Sequence, residues 1–382
     1  MLVRCLAMMR GGGETRHLAW ARELAAAGVN VDIITGRPLL FGQSRYTIGE
    51  APVTILRSPY TRDFVYRWQR RQGFGRLTMS VLRADESWFC RLAWKQILSR
   101  PDKPDIVHAH ALPQAARFRQ AGIPVVVNLP GEPNLHDVAD LRTADALVAD
   151  GWAATQLPAK LGRPVTRVVK GIDAALFRPD GPSVRQPLRL TGRRVVVAVS
   201  RFVPIKNVRL LVDAIAIVRQ RIPNVHLLAV GDGPEHHHVA SRVAEHDLRD
   251  CVTLVGSVSH ADTPAYYRAG DVFALSSEFD NSPNAVLEAM ACGLPIVATD
   301  SGGVREFVDD SSSGAIVPTG DARALADALE RYLANPELAR KAGDHNRRKA
   351  STEFSWPESA RQLREVYRTT IESRRRTTAT SA

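Results

Sequence analysis

The chain has 382 residues, 45% of them apolar and 24% charged. That is room for two domains, and it excludes a mainly disordered or collagen-like chain. The excess of Lys plus Arg, 51 against 40 Asp plus Glu, is uneven: residues 1–180 hold 25 basic and 16 acidic residues, net +9, and residues 181–382 hold 26 and 24, net +2, so the N-terminal half suits a polyanionic partner such as an acidic polymer, an anionic membrane or nucleic acid.

Leu2–Met9 reads as a first strand, too short for a signal peptide with a cleavage region. Gly11-Gly12-Gly13 follows, then a helix from about Glu14 to Ala27 and a strand over Val29–Thr35. This is a strand, glycine turn, helix, strand unit. Further strands are expected at Asp105–His108, Pro124–Asn128, Ala146–Ala149 and Thr166–Val169. Residues 174–193 break the pattern with Pro179, Pro182, Pro187, Gly181 and Gly192, as a linker does. A second alternating series starts at Arg194–Val199. It continues through helix Lys206–Arg221, strand Val225–Val230, helix Pro234–His246, and strands Val252–Val255 and Val272–Leu275. Helix Pro283–Ala291 and strand Pro295–Ala298 complete it, with helices at about 321–334, 336–350 and 357–373.

The expected fold is therefore α/β, two doubly wound Rossmann-like domains facing a central cleft. The expected boundaries are an N-terminal domain over 1–175, a linker over 176–193, a C-terminal domain over 194–355, and a C-terminal helix and tail over 356–382 that packs back toward the N-terminal domain. No run of about 18 uncharged apolar residues exists, so no spanning helix is expected. Cys5, Cys90, Cys251 and Cys292 are scattered, with no pair at CxxC spacing. They suit a reducing compartment, so the expected location is the cytoplasm, either free or at the inner membrane surface.

The chemistry concentrates in Glu278–Thr299, EFDNSPNAVLEAMACGLPIVAT. Asp280 precedes the helix expected after Pro283, and Glu288 lies inside it, eight residues on. Free N–H groups at a helix start bind anionic or hydroxyl-rich ligands, and a carboxylate within the helix can take vicinal hydroxyls. On spacing alone, a capped surface helix explains the pattern equally well. The segment resembles the donor-site motif of retaining glycosyltransferases of family 4, which have the two-domain GT-B fold. In that pattern seven residues separate one glutamate from a second; here Asp280 replaces the first, Asn281 the usual glycine, and Glu288 matches unchanged. Glu278 lies two residues earlier, out of register, so which carboxylate takes the first role stays open.

Val199–Asn207 is similar to the family's GRLxxxKG segment, with Arg201 and Lys206 at a strand end and helix start, where two cations can neutralise a diphosphate. The resemblance extends to Gly11-Gly12-Gly13-Glu14, to Gly231-Asp232-Gly233-Pro234, to Val255-Gly256, whose family counterpart lies near the nucleotide base, and to Lys170-Gly171-Ile172-Asp173. The nicotinamide alternative is the poorer fit, because the last glycine of GxGxxG is missing.

The resemblance implies a catalytic set of Arg201, Lys206, Asp280 and Glu288. The implied donor contacts are Gly12, Gly13, Gly231, Val255, Glu278, Asn281, Ser282, Asn284 and Leu287, and the acceptor-side candidates are His110 and Glu132. The family's histidine–glycine is replaced by Pro130-Gly131. No Asp-x-Asp signature is present to hold a metal on a diphosphate, so neither metal nor cofactor is expected, and His236-His237-His238 reads as a solvated face. The implied partners are a nucleotide-sugar donor and a glycan, lipid or small-molecule acceptor, with no nucleic acid. Residues 57–83 interleave seven arginines with Tyr60, Phe64, Tyr66, Trp68 and Phe74, a composition that suits an anionic membrane surface or a solvated basic lid. Two rivals remain: an epimerase or phosphorylase on the same fold, and a non-catalytic polyanion or nucleic-acid binder.

Overall fold

The computed structural model describes residues 1–3, 12–38, 53–58, 76–132, 138–309 and 312–380. The chain forms two compact units, Met1–Gly171 with Trp356–Ala382, and Ile172–Ser355.

The strands of the first unit are β1 (Ile33–Pro38), β2 (Val53–Ser58), β3 (Val107–His110), β4 (Val125–Leu129), β5 (Ala146–Ala149) and β6 (Thr166–Arg167). β1 and β2 pair in parallel, and β3-β4-β5-β6 form a parallel four-stranded sheet. Leu2 makes parallel bridges to both Ile34 and Ala109, which places it between β1 and β3. Residues 4–9 of the strand expected there lie outside the described residues. β4 shows why both faces are covered. Val125, Val127 and Leu129 enter one apolar cluster with Phe89 and Phe118, while Val126 enters another with Trp20 and Leu363. Side chains alternate across a strand, so a strand apolar at every position needs a packing layer on each face.

The second layer is supplied by helix Gly12–Ala26 and the last helix, Trp356–Thr380. Polar bonds fix their register: Trp20 Nε1 donates to Ser359 Oγ at 2.7 Å, and the Val169 N–H donates to Gln362 Oε1 at 3.0 Å. Helices Arg76–Leu98 and Gly151–Leu161 and strand β2 went unread in the sequence. Trp88, half exposed in the first of these, and Pro158, inside the second, blur the helical pattern.

The second unit holds β7 (Arg194–Val199), β8 (Val225–Val230), β9 (Val252–Gly256), β10 (Val272–Leu275), β11 (Ile296–Thr299) and β12 (Gly314–Val317). They form one parallel sheet of order β12-β11-β10-β7-β8-β9. Period-two alternation again sorts the faces: Val196, Ala198, Leu227 and Ala229 pack under helices Val208–Arg221 and Ala322–Ala334, and Val195, Leu228 and Val230 pack with Leu190 and Ala269 on the other side. Residues 172–193 count with this unit, and the buried Leu190 anchors them beneath the sheet. Both helices start on a side-chain cap, the Asn207 amide oxygen accepting from the Leu210 N–H at 3.4 Å and Asp321 from the Ala324 N–H at 2.9 Å, which satisfies donors that a first helical turn leaves free. β12, an edge strand of four residues led by a glycine, was not legible beforehand.

Candidate active site

In the second unit the chain leaves β7 toward β8 and β9, then returns to lay β10 on the opposite side of β7. The loops that leave the carboxyl ends of β7 and β10 therefore diverge, and a ligand crevice of an open α/β sheet forms at such a switch point. These two loops are residues 200–207 and 276–283, the segments that carry the candidate residues.

They are tied together through the backbone. The Glu278 N–H donates to the Ile205 carbonyl at 2.9 Å, and Ser276 Oγ donates to the Lys206 carbonyl at 3.0 Å. The far side of the β10 loop is held as firmly: the Asp280 N–H donates to the Ser301 carbonyl at 2.7 Å, and the Gly303 N–H donates to the Asp280 carbonyl at 2.8 Å. Two glycines permit these approaches. A Cβ on Gly303 would lie 1.7 Å from the Asn281 carbonyl oxygen, and one on Gly231, at φ +131°, would lie 1.8 Å from the Ser200 carbonyl oxygen, positions that only glycine can fill without backbone movement.

Fixed backbones set the side chains. The Lys206 ammonium contacts the Asp280 carboxylate, both side chains 16% exposed. Asn207 Nδ2 donates to Glu278 Oε1 at 3.2 Å. The ambiguity between the two carboxylates thus has a geometric counterpart: Asp280 faces the lysine and Glu278 the asparagine. Glu288 lies in helix Asn284–Ala291 and is half-buried, accepting a 2.8 Å hydrogen bond from the Tyr267 hydroxyl at Oε2. Tyr267 is fully buried, and burial first, then the Glu288 charge, pushes its hydroxyl well above the ordinary phenol range. It stays a neutral donor and orients the carboxylate. Nothing in the sequence pairs these two: Tyr267 lies 21 residues upstream in no recognisable motif.

Arg201 is exposed, two residues after the end of β7. Gly231 follows β8, and its N–H donates to the Gly256 carbonyl at 2.8 Å, while Val255 is half-buried in β9 beside it. Ser282 is buried with Oγ 3.5 Å from Glu306 Oε2. Asn284 opens its helix, and Leu287 is buried in the core, so only its backbone is available to a ligand. His237 and His238 are exposed, and His236 stacks on Phe202 at 5.9 Å. Among the described residues, no three His, Cys, Asp or Glu side chains are grouped to hold a metal ion.

The remaining candidates belong to the first unit. Gly12 and Gly13 form the first turn of helix Gly12–Ala26. His110 ends β3, where the Asn128 amide nitrogen donates to Nδ1 at 3.0 Å and the His17 ring packs at 4.5 Å. Glu132 is exposed and pairs with Lys160 at 2.6 Å. Residues 59–75 of the basic, aromatic segment lie outside the described residues; residues 57 and 58 end β2, and 76–83 open the helix Arg76–Leu98. No described helix is long and apolar enough to cross a membrane.

This architecture matches known structures along almost its whole length. Sucrose-phosphate synthase from Thermosynechococcus elongatus superposes with a TM-score of 0.79 at 22% identity, over 97% of this chain and 98% of that one. Anabaena HepE in complex with UDP and glucose gives 0.72 at 21% identity, over 96% and 98%. The fold is GT-B. Residues 182–349 match the family described as glycosyl transferases group 1. A curated relative, the GDP-mannose-dependent alpha-(1-6)-phosphatidylinositol monomannoside mannosyltransferase of Mycolicibacterium smegmatis, is 31% identical over 207 residues, 51% of this chain and 54% of its own. The chain spans about half the length of the curated relatives it matches.

Proposed function

We propose that this protein is a retaining glycosyltransferase that moves a sugar from a nucleoside-diphosphate donor to an acceptor hydroxyl. The observation that carries the reading is the Lys206–Asp280 contact that joins the β7 and β10 loops at the sheet's switch point, with Glu288 on the helix that follows the β10 loop. Breaking the anomeric bond develops positive charge on the sugar and negative charge on the departing diphosphate. Lys206 and Arg201 stabilise the diphosphate, and preorganised charges of this kind are often the largest catalytic contribution. Asp280 and the amides that follow it hold sugar hydroxyls, and Glu288, oriented by Tyr267, takes the ribose hydroxyls. No carboxylate is assigned the role of covalent nucleophile; the departing phosphate accepts the acceptor's proton. Two cationic side chains stand where a metal would act, so transfer needs no divalent ion. The acceptor is a glycan, a lipid or a small molecule that meets the first unit.

The test is a screen of UDP-, GDP-, ADP- and dTDP-sugars for thermal stabilisation, because a ligand of the native state raises apparent stability by RT ln(1 + [L]/Kd). Transfer is then assayed with the best binder in excess chelator. Stabilisation by one nucleotide class and transfer that survives chelation are expected. Stabilisation by oligonucleotides alone refutes the reading, and complete loss in chelator restored by Mg²⁺ or Mn²⁺ refutes its metal-free part.

A further inference from the structure

Lys206 and Asp280 engage each other directly, each largely withdrawn from solvent. Their backbones cannot adjust, since residues 205 and 206 are bonded to 278 and 276, and Asp280 is bonded to 301 and 303. Only side-chain rotation can part them, and the lysine, on its four-carbon stem, is the mobile partner. If Lys206 is to meet a diphosphate, Asp280 must release it. Asp280 then stands as an unneutralised carboxylate close to an incoming polyanion, unless something else donates hydrogen bonds to it. Sugar hydroxyls do so; a bare phosphate cannot. A free nucleoside diphosphate is the worse visitor on a second count, because its terminal phosphate ionises again near pH 6 and carries more negative charge than the sugar ester does.

Building on the donor site proposed above, we infer that Asp280 makes this site discriminate an intact nucleoside-diphosphate sugar from the free nucleoside diphosphate. With the sugar present, its hydroxyls occupy Asp280 and free Lys206 for the diphosphate. Without it, Asp280 competes for Lys206 and repels the phosphate. The consequence is a product that leaves readily and a site that resists occupation by spent nucleotide.

The experiment is calorimetric titration of wild type and Asp280→Asn with UDP, GDP, ADP and dTDP and with the matching nucleotide sugars, with the melting temperature of each variant recorded. Removing one unfavourable charge at a partly buried site should tighten free nucleoside diphosphate by about fivefold. Affinity for the nucleotide sugar should fall, so that the wild-type preference for the sugar ester shrinks or inverts. Asp280→Ser provides the same comparison by a second route should the asparagine variant fail to fold. In a Lys206→Gln background the gain from Asp280→Asn should be smaller, which a merely structural loosening would not produce. Unchanged or weaker diphosphate binding in both Asp280 variants overturns the inference while leaving the donor site standing. An equal gain with and without Lys206 overturns the competition for the lysine. A wild-type protein that binds none of the eight ligands removes the donor site, and the discrimination with it.

Discussion

In the proposed enzyme Lys206 and Glu288 do different work, and their variants separate the two roles. Lys206 acts on charge that grows as the sugar departs, so Lys206→Ala should lower kcat more than it raises the donor KM, by about 3 kcal/mol, or on the order of a hundredfold. Glu288 holds hydroxyls that change little along the reaction, so Glu288→Gln should mainly weaken donor binding, by about 1–3 kcal/mol. Neither side chain belongs to the apolar clusters, so both variants should keep the wild-type circular dichroism. Folded variants with wild-type donor kinetics would place the donor site elsewhere. The residue identities were readable in advance; their partners were not. Asn207 was legible only as the last residue of a basic loop, whereas it caps a helix and touches Glu278.

At the scale of elements, the strand ends that build the site depend on close backbone approach and on a dry sheet. Gly231→Ala would force a Cβ to within 1.8 Å of the Ser200 oxygen at a φ of +131°. The backbone must move, at a cost of at least about 2 kcal/mol, roughly 4–8 °C in melting temperature for a unit of this size. The donor affinity should fall with it, because the strand ends that move carry the candidate site. A variant that melts with wild type would show that this approach is relaxed in solution. His226 on β8 offers a second probe. Its Nε2 lies 2.8 Å from Thr253 Oγ1, and burial, reinforced by the charge of Arg193, pushes its pKa down from 6.5 to about 4. The unfolded chain therefore binds a proton near pH 6.5 that the folded chain refuses until about 4. The stability this neutral histidine permits is complete above pH 6.5 and is lost as pH falls through that window. Thermal melts from pH 7.5 to 4 should decline more steeply in wild type than in His226→Gln, and parallel curves would argue against it. The strands themselves followed from runs such as RVVVAV at 194–199, because a strand buried on both faces must be apolar throughout. β2 and β12 escaped notice for the converse reason: residues 53–56 of β2 and the two middle residues of β12 are only half-buried, so neither needs to be apolar throughout.

Across the whole molecule the charge is lopsided, net +9 over residues 1–180 and +2 over 181–382. In the proposed enzyme the N-terminal half serves the acceptor, so this charge bears on acceptor type and on the surface where the acceptor resides. If that surface is an anionic membrane, the protein should sediment with phosphatidylserine-containing vesicles, and added salt should release it. Replacing Arg67, Arg70 and Arg71 by glutamine should reduce the pelleted fraction and leave nucleotide-sugar binding unchanged. Equal pelleting of the triple variant and wild type would remove these arginines from the membrane account.

The amino-acid sequence by itself determined the α/β alternation, the motif residues and the charge asymmetry. Each is local: an apolar run, a glycine turn or a fixed spacing states its structure within about 20 residues. The tertiary structure decided which of those residues meet. Lys206 and Asp280 are 74 positions apart and touch only because β10 lies beside β7. The Tyr267–Glu288 bond likewise depends on how a helix seats against the sheet. The last helix, far from the first unit in sequence, joins it through Trp20, Val169 and His108, whose Nδ1 lies 2.6 Å from the Tyr367 hydroxyl. Strand order is set by which crossovers bury the most apolar surface without conflict, a property of the whole chain, and the contacts at the sheet's edge follow from it.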